Sequence, residues 1–214
     1  MVRLQIGPVR LHPSLFPVLW TGPSNTTHYL VVDAKLGVVP IPDGWSFEEA
    51  AQLGVAPMTA LQRLHQSLEL PSPFEARSTD PRCTVLIWGG ASAIGQYAIQ
   101  FAKLSGLRVL TTASPKNFDL VRGLGTDEVF DYRDESVVEE ICAATWNALD
   151  IAINTVSEGK TPEQVTSAIG DKGGKVAIIL SYESPRPTVK VAFSKLPDVL
   201  RRESNGKCPT ELLV

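Results

Sequence analysis

The residues best suited to chemistry are Gly89-Gly90-Ala91-Ser92-Ala93-Ile94-Gly95, a run of small side chains between Thr84–Trp88 and a helical stretch whose apolar positions include Ala98, Phe101 and Leu104. Small residues let a strand-to-helix turn pass close to a pyrophosphate, and amides at the helix N-terminus then face its negative charge. The run departs from a strict GxGxxG: Ser92 stands where many such loops carry glycine. Its hydroxyl can donate to a phosphate oxygen. The plainer alternative is a tight turn that holds no ligand.

A second constellation follows about twenty residues later, in Thr111-Thr112-Ala113-Ser114-Pro115-Lys116-Asn117. Sites selective for NAD usually place an Asp or Glu there, to accept from the adenosine ribose hydroxyls. This segment has none. Ser114, Lys116 and Asn117 supply a hydroxyl, a cation and an amide, which can surround the extra phosphate of NADP. The alternatives are an ordinary helix cap for Ser114 and a solvated charge for Lys116. The expected cofactor is NADPH rather than NADH.

Asn154 is a further candidate because it closes an apolar run, and ligands gather at the carboxyl ends of parallel strands. Asp150 stands at the start of that run. His12, His28 and His65 fall in no recognisable acid–base constellation. Cys83, Cys142 and Cys208 are far apart and form no CxxC or Cys/His cluster, so no metal site is expected.

The elements that must position these groups alternate. Thr84–Trp88, Arg108–Thr112, Glu128–Tyr132, Leu149–Asn154 and Lys175–Leu180 are short β-prone runs, separated by helical stretches near 96–105, 115–123, 136–145 and 162–169. Ser114-Pro115 and Thr161-Pro162-Glu163-Gln164 read as helix caps. Strands this short and apolar are buried on both faces, which implies an α/β fold with a doubly wound parallel sheet of Rossmann type. After Leu180 the pattern fades among Pro185, Pro187 and Pro197, so the sheet reads as incomplete after five strands.

Upstream, residues 1–27 carry four prolines and read as an unassigned leader. Tyr29–Val32 is a β-prone run, Ser46-Phe47-Glu48-Glu49 a capping box, and a helix broken near Pro57 resumes from about Thr59 to Leu68. Residues 71–82 form a loop, 83–185 the nucleotide domain and 186–214 an irregular tail. The 214 residues are 43% apolar and 20% charged, with a net charge of −3 and no long single-sign run. That balance gives no footprint for nucleic acid or an anionic membrane, and no signal peptide or membrane span is legible. Asn25-Thr26-Thr27 matches a glycosylation sequon, which a cytoplasmic protein would not use. The expected location is the cytoplasm, with reduced thiols.

Taken together, VLIWGGASAIGQYAIQFAKLSG, TTASPKNFDLVRGLGTDEVFDYRD and SFEEAAQLGVAPMTAL resemble the fungal trans-acting enoyl reductases of the zinc-independent medium-chain dehydrogenase/reductase superfamily. The resemblance covers about residues 28–185. It implies that Ser114, Lys116, Asn117 and Tyr132 line the 2′-phosphate and adenosine end of NADPH, and that Ser92, Ala93 and Ile94 line its pyrophosphate. Thr59 would lie near the nicotinamide and the substrate carbonyl, the alternative being a threonine that fills a helix–sheet contact.

The implied reaction is hydride transfer to an α,β-unsaturated thioester carried by a partner polyketide synthase or polyketide–peptide hybrid synthase, with the protein itself a monomer. Residues 28–70 would then be the end of a GroES-like β domain with its linking helices, a remnant of the family's catalytic domain. A quinone-oxidoreductase-like reductase, a non-catalytic NADPH-binding remnant and an interaction fragment without ligand are the competing readings.

Overall fold

The structure, a computed structural model, describes residues 41–71 and 83–193. The leader, His12, His28, the Tyr29–Val32 run, nearly all of the 71–82 loop, Cys208 and the tail beyond Phe193 lie outside the described residues. The chain divides into two compact units, residues 1–58 and 59–214.

In the first unit the capping box forms as its residue types require. Glu49 N donates to Ser46 Oγ at 3.1 Å and Ser46 N donates to Glu49 Oε2 at 2.8 Å, which opens helix α1 (Phe47–Ala51). Helix α2 (Val55–Leu61) follows and runs on into a π-helical segment, Gln62–Ser67. The break expected near Pro57 falls earlier, at residues 52–54 between α1 and α2. Pro57 falls in the first turn of α2, where no intrahelical acceptor awaits its missing N–H.

The second unit is built on six parallel strands: β1 (Thr84–Trp88), β2 (Arg108–Ala113), β3 (Glu128–Asp131), β4 (Ile151–Asn154), β5 (Gly174–Ile178) and β6 (Val189–Phe193). Their order is β3-β2-β1-β4-β5-β6, so the winding direction reverses between β1 and β4. Helices α3 (Ala93–Leu104), α4 (Phe118–Gly123), α5 (Val137–Ala144) and α6 (Thr161–Ala168) connect the first five strands, a 3-10 turn at Pro115–Asn117 leading into α4.

Alternation of side chains along each strand divides the core in two. Val85 and Ile87 of β1, Val109 of β2, Ile153 of β4 and Ala177 of β5 face Ala98, Ile99 and Ala102 of α3, Val121 of α4, and Leu64 of the π-helical segment. Leu86, Trp88, Leu110, Ala152, Val176 and Ile178 face Val137 and Ile141 of α5 and Val165 and Ala168 of α6. Both faces of the sheet are therefore buried, as a doubly wound sheet demands.

The expectation of five strands is exceeded. β6 pairs in parallel with β5, from Gly174 against Val189 to Ile178 against Phe193, so the sheet reaches into the segment read as an irregular tail. A proline-bearing connection without a helix precedes it, so the strand–helix alternation of the sequence does not extend to β6. Arg186 anchors that connection: its guanidinium donates to the carbonyl oxygens of Thr166 (2.9 Å), Ile169 (2.5 Å) and Gly170 (2.9 Å), at the C-terminal end of α6.

The expected caps are realised differently. Ser114 makes no side-chain cap bond, although its carbonyl accepts from Asn117 N at 2.8 Å. Thr161 is not a cap: it is the first residue of α6, and its hydroxyl donates to Glu158 O at 2.8 Å. Among the described residues, no helix is long and apolar enough to cross a membrane.

Candidate functional site

The winding reversal leaves a crevice position at the carboxyl ends of β1 and β4, where Trp88 and Asn154 pair. The small-residue run forms the turn there between β1 and α3. Gly89 has φ +84°, and a Cβ on it would lie 2.7 Å from Val156 Cγ2 and 2.8 Å from Thr155 Oγ1. A Cβ on Gly95 would run into the backbone of Gly89 and Gly90, so only glycine lets α3 settle onto the turn.

Hydrogen bonds then close the turn. Gly89 N donates to Thr112 Oγ1 (3.0 Å), Gly90 N to Thr112 O (2.9 Å) and Ser92 N to Gly89 O (2.9 Å). Gly89 and Gly90 thus contribute shape, their amides being committed to β2. Ser92 is the N-cap of α3, its Oγ accepting from Gly95 N at 3.0 Å and lying 2.8 Å from Thr155 Oγ1. Ala93 and Ile94, the first two helical residues, carry amides that helix geometry leaves without an intrahelical acceptor. A glycine-shaped turn that leads into a helix N-terminus with such amides has the chemistry that suits a pyrophosphate.

At the end of β2, Ala113 pairs with Asp131 of β3, so Ser114 and Tyr132 leave neighbouring strands together. Ser114 is buried and its Oγ accepts from Asn117 Nδ2 at 3.2 Å, while Lys116 and Tyr132 are exposed. Arg133 lays its guanidinium 5.5 Å from the centre of the Tyr132 ring. Interaction with Tyr132 raises the Arg133 pKa further above its usual value. Asp131, just before Tyr132, is engaged by its own loop, where Oδ1 accepts from Arg133 N at 3.0 Å.

Asn154 is fully buried, and its amide shapes the loop after β4. Its Oδ1 accepts from Val156 N (3.0 Å) and Ser157 N (2.8 Å), and its Nδ2 donates to Thr161 Oγ1 (3.1 Å). Ser157, at φ +57°, links that loop to β5 by accepting from Ile179 N at 3.0 Å. Thr59 is buried on α2, and among the described residues no hydrogen bond joins it to either group. His65, with Nδ1 3.1 Å from Leu70 O, is tied to its own helix end.

Sequence reasoning singled out the turn but missed Thr112 and Thr155, the two hydroxyls that hold it. Thr155 follows Asn154 at a strand end, which is a signal of place; Thr112 has none, since threonine is common in strands. Among the described residues, no three His, Cys, Asp or Glu side chains are grouped to hold a metal ion.

Residues 93–203 match the family of zinc-binding dehydrogenases. The chain is 43% identical over 161 residues to the trans-enoyl reductase ACTTS2 of Alternaria alternata, covering 75% of this chain and 45% of that protein. It is 46% identical over 144 residues to the trans-enoyl reductase RAP1 of Pyricularia oryzae, covering 67% and 40%. The chain therefore spans less than half the length of these relatives.

Among solved structures it is similar to the CurK enoyl reductase, with a TM-score of 0.65 and 25% identity over 77% of this chain and 49% of that one. It is similar also to the Thermus thermophilus quinone oxidoreductase, solved with and without NADPH, with a TM-score of 0.59 and 30% identity over 78% and 52%. These likenesses, with the turn at β1, support a nicotinamide cofactor.

Proposed function

The chain belongs to the zinc-binding dehydrogenase family, and from that premise we propose that it is the NADPH-binding part of a trans-acting enoyl reductase of the fungal type, serving a partner polyketide synthase or polyketide–peptide hybrid synthase. The observation that carries this reading is the closed turn after β1, which leaves the Ala93 and Ile94 amides directed outward from a helix N-terminus. In this reading those amides bind the pyrophosphate. Ser114, Lys116 and Asn117 take the 2′-phosphate, where a carboxylate would repel it, and Tyr132 covers the adenosine.

Gly89, Gly90, Ser92, Gly95 and Asn154 act on the site through the shape of the two loops. In this reading Thr59 serves the nicotinamide end, where a hydroxyl can donate to a thioester carbonyl. When bound, NADPH supplies the hydride that reduces the β-carbon of an α,β-unsaturated thioester. The protein's part is to align the reacting carbons and to stabilise charge on the carbonyl oxygen. No step in this scheme calls for zinc.

Titration of the full chain with NADPH and with NADH, followed by cofactor fluorescence, tests the reading. Saturable NADPH binding is expected, with Lys116→Glu weakening it by about tenfold or more, since one charge-assisted contact is replaced by a repulsion. A folded chain that binds neither nucleotide sinks the proposal. The likeness to a quinone oxidoreductase favours a second reading, in which a bound chain reduces small quinones without a synthase. Turnover of an enoyl thioester against that of a quinone separates the two.

A further inference from the structure

We propose that Thr155 is a positioning residue for the phosphate turn, fixing Ser92 so that α3 presents the Ala93 and Ile94 amides at a set angle; this rests on the dinucleotide reading above. Thr155 Oγ1 lies 2.8 Å from Trp88 O, 3.0 Å from Gly89 O and 2.8 Å from Ser92 Oγ. With the single Thr155 hydroxyl proton given to the Trp88 or Gly89 carbonyl, which can only accept, the proton between the two hydroxyls comes from Ser92. Ser92 Oγ accepts in turn from Gly95 N, at 3.0 Å.

The chain of donors is thus one-directional: Gly95 N–H to Ser92, Ser92 O–H to Thr155, Thr155 O–H to a β1-end carbonyl. Two consequences follow from that direction. The Ser92 proton that the sequence offers to a phosphate oxygen is engaged inside the protein, so the pyrophosphate is met by backbone amides alone. The turn after β1 is also braced against the loop that follows β4, where Val156 Cγ2 lies 2.7 Å from where a Gly89 Cβ would stand. Thr155 is 4% exposed, so water does not replace its hydroxyl when it is lost.

The test is NADPH and NADH affinity of Thr155→Val, which keeps the shape and removes the hydroxyl. Thr155→Val is expected to weaken both nucleotides alike, by about five- to tenfold, the size of one buried hydrogen bond expressed in affinity. Thr155→Ser is expected to restore wild-type affinity. The NADPH to NADH preference stays unchanged, unlike in Lys116→Glu. Wild-type or tighter binding by Thr155→Val overturns the proposal, because a released Ser92 hydroxyl would then be serving the phosphate.

Should Thr155→Val not fold, Ser92→Ala decides the matter. It is expected to lower both the melting temperature without nucleotide and the affinity. Lost affinity with an unchanged ligand-free melting temperature overturns the proposal, being the signature of a hydroxyl that faces the ligand. A wild-type chain that binds no nucleotide would instead refute the reading on which this rests.

Discussion

Single residues decide how the loops at the strand ends respond to pH. Asp134, after β3, accepts from Ser136 Oγ at 2.6 Å and from Ser136 N at 2.9 Å. Those bonds, the hydroxyl first, hold its carboxyl below the usual value. A carboxyl lowered in the folded chain stabilises it fully above the unfolded pKa, and that contribution is lost as pH falls through the folded value. Asp134→Asn is therefore expected to be less stable than wild type near neutral pH. The difference should close in acid, below about pH 4, as the wild-type carboxyl takes up its proton. Urea melts of both proteins across that range would show it. A gap that persists unchanged at low pH would assign the effect to something other than the charge.

At the scale of elements, the device most exposed to mutation is the Arg186 clasp on the end of α6. One planar guanidinium donates to three carbonyls at the end of α6 and in the turn after it, and its charge suits the negative end of the helix. Arg186→Met should cost about 1.5–3 kcal/mol, the range for hydrogen bonds to a charged group, read as a lower denaturant midpoint. Arg186→Lys should recover only part of this, because a point charge cannot span three acceptors as a fork does. The clasp ties down the connection that leads into β6, where Val189 pairs beside Gly174.

For the molecule as a whole, nucleotide binding and stability are linked. A ligand that binds only the folded chain stabilises it by about 2.7 kcal/mol at a free concentration one hundred times its Kd. For a domain of this size that corresponds to a rise in Tm of roughly 5–11 °C. The expected result in a thermal melt is a shift with NADPH that grows logarithmically with concentration. NADH should require far higher concentrations for the same shift. Equal shifts with both would remove Ser114, Lys116 and Asn117 from the account of specificity.

What the sequence by itself determined was whatever is local. The alternation of short apolar runs with amphipathic stretches is a period in the chain, and it yielded a parallel sheet with five of its six strands. The small side chains from Gly89 to Gly95 and the absence of an acid from Thr111 to Asn117 are matters of residue type; the first located the turn and the second is what motivates the proposed preference for NADPH. The capping box joins Ser46 and Glu49, three positions apart, so it too was legible. The tertiary structure alone decided which hydroxyls are engaged. Ser92 and Thr155 are 63 positions apart, and Thr155 and Trp88 are 67 apart. A hydroxyl has one proton, and its direction depends on acceptors that only the folded sheet brings near. The same holds for Asn154, whose amide meets Val156, Ser157 and Thr161 only in the folded loop, and for β6, which pairs with β5 across a connection that Arg186 ties to the end of α6.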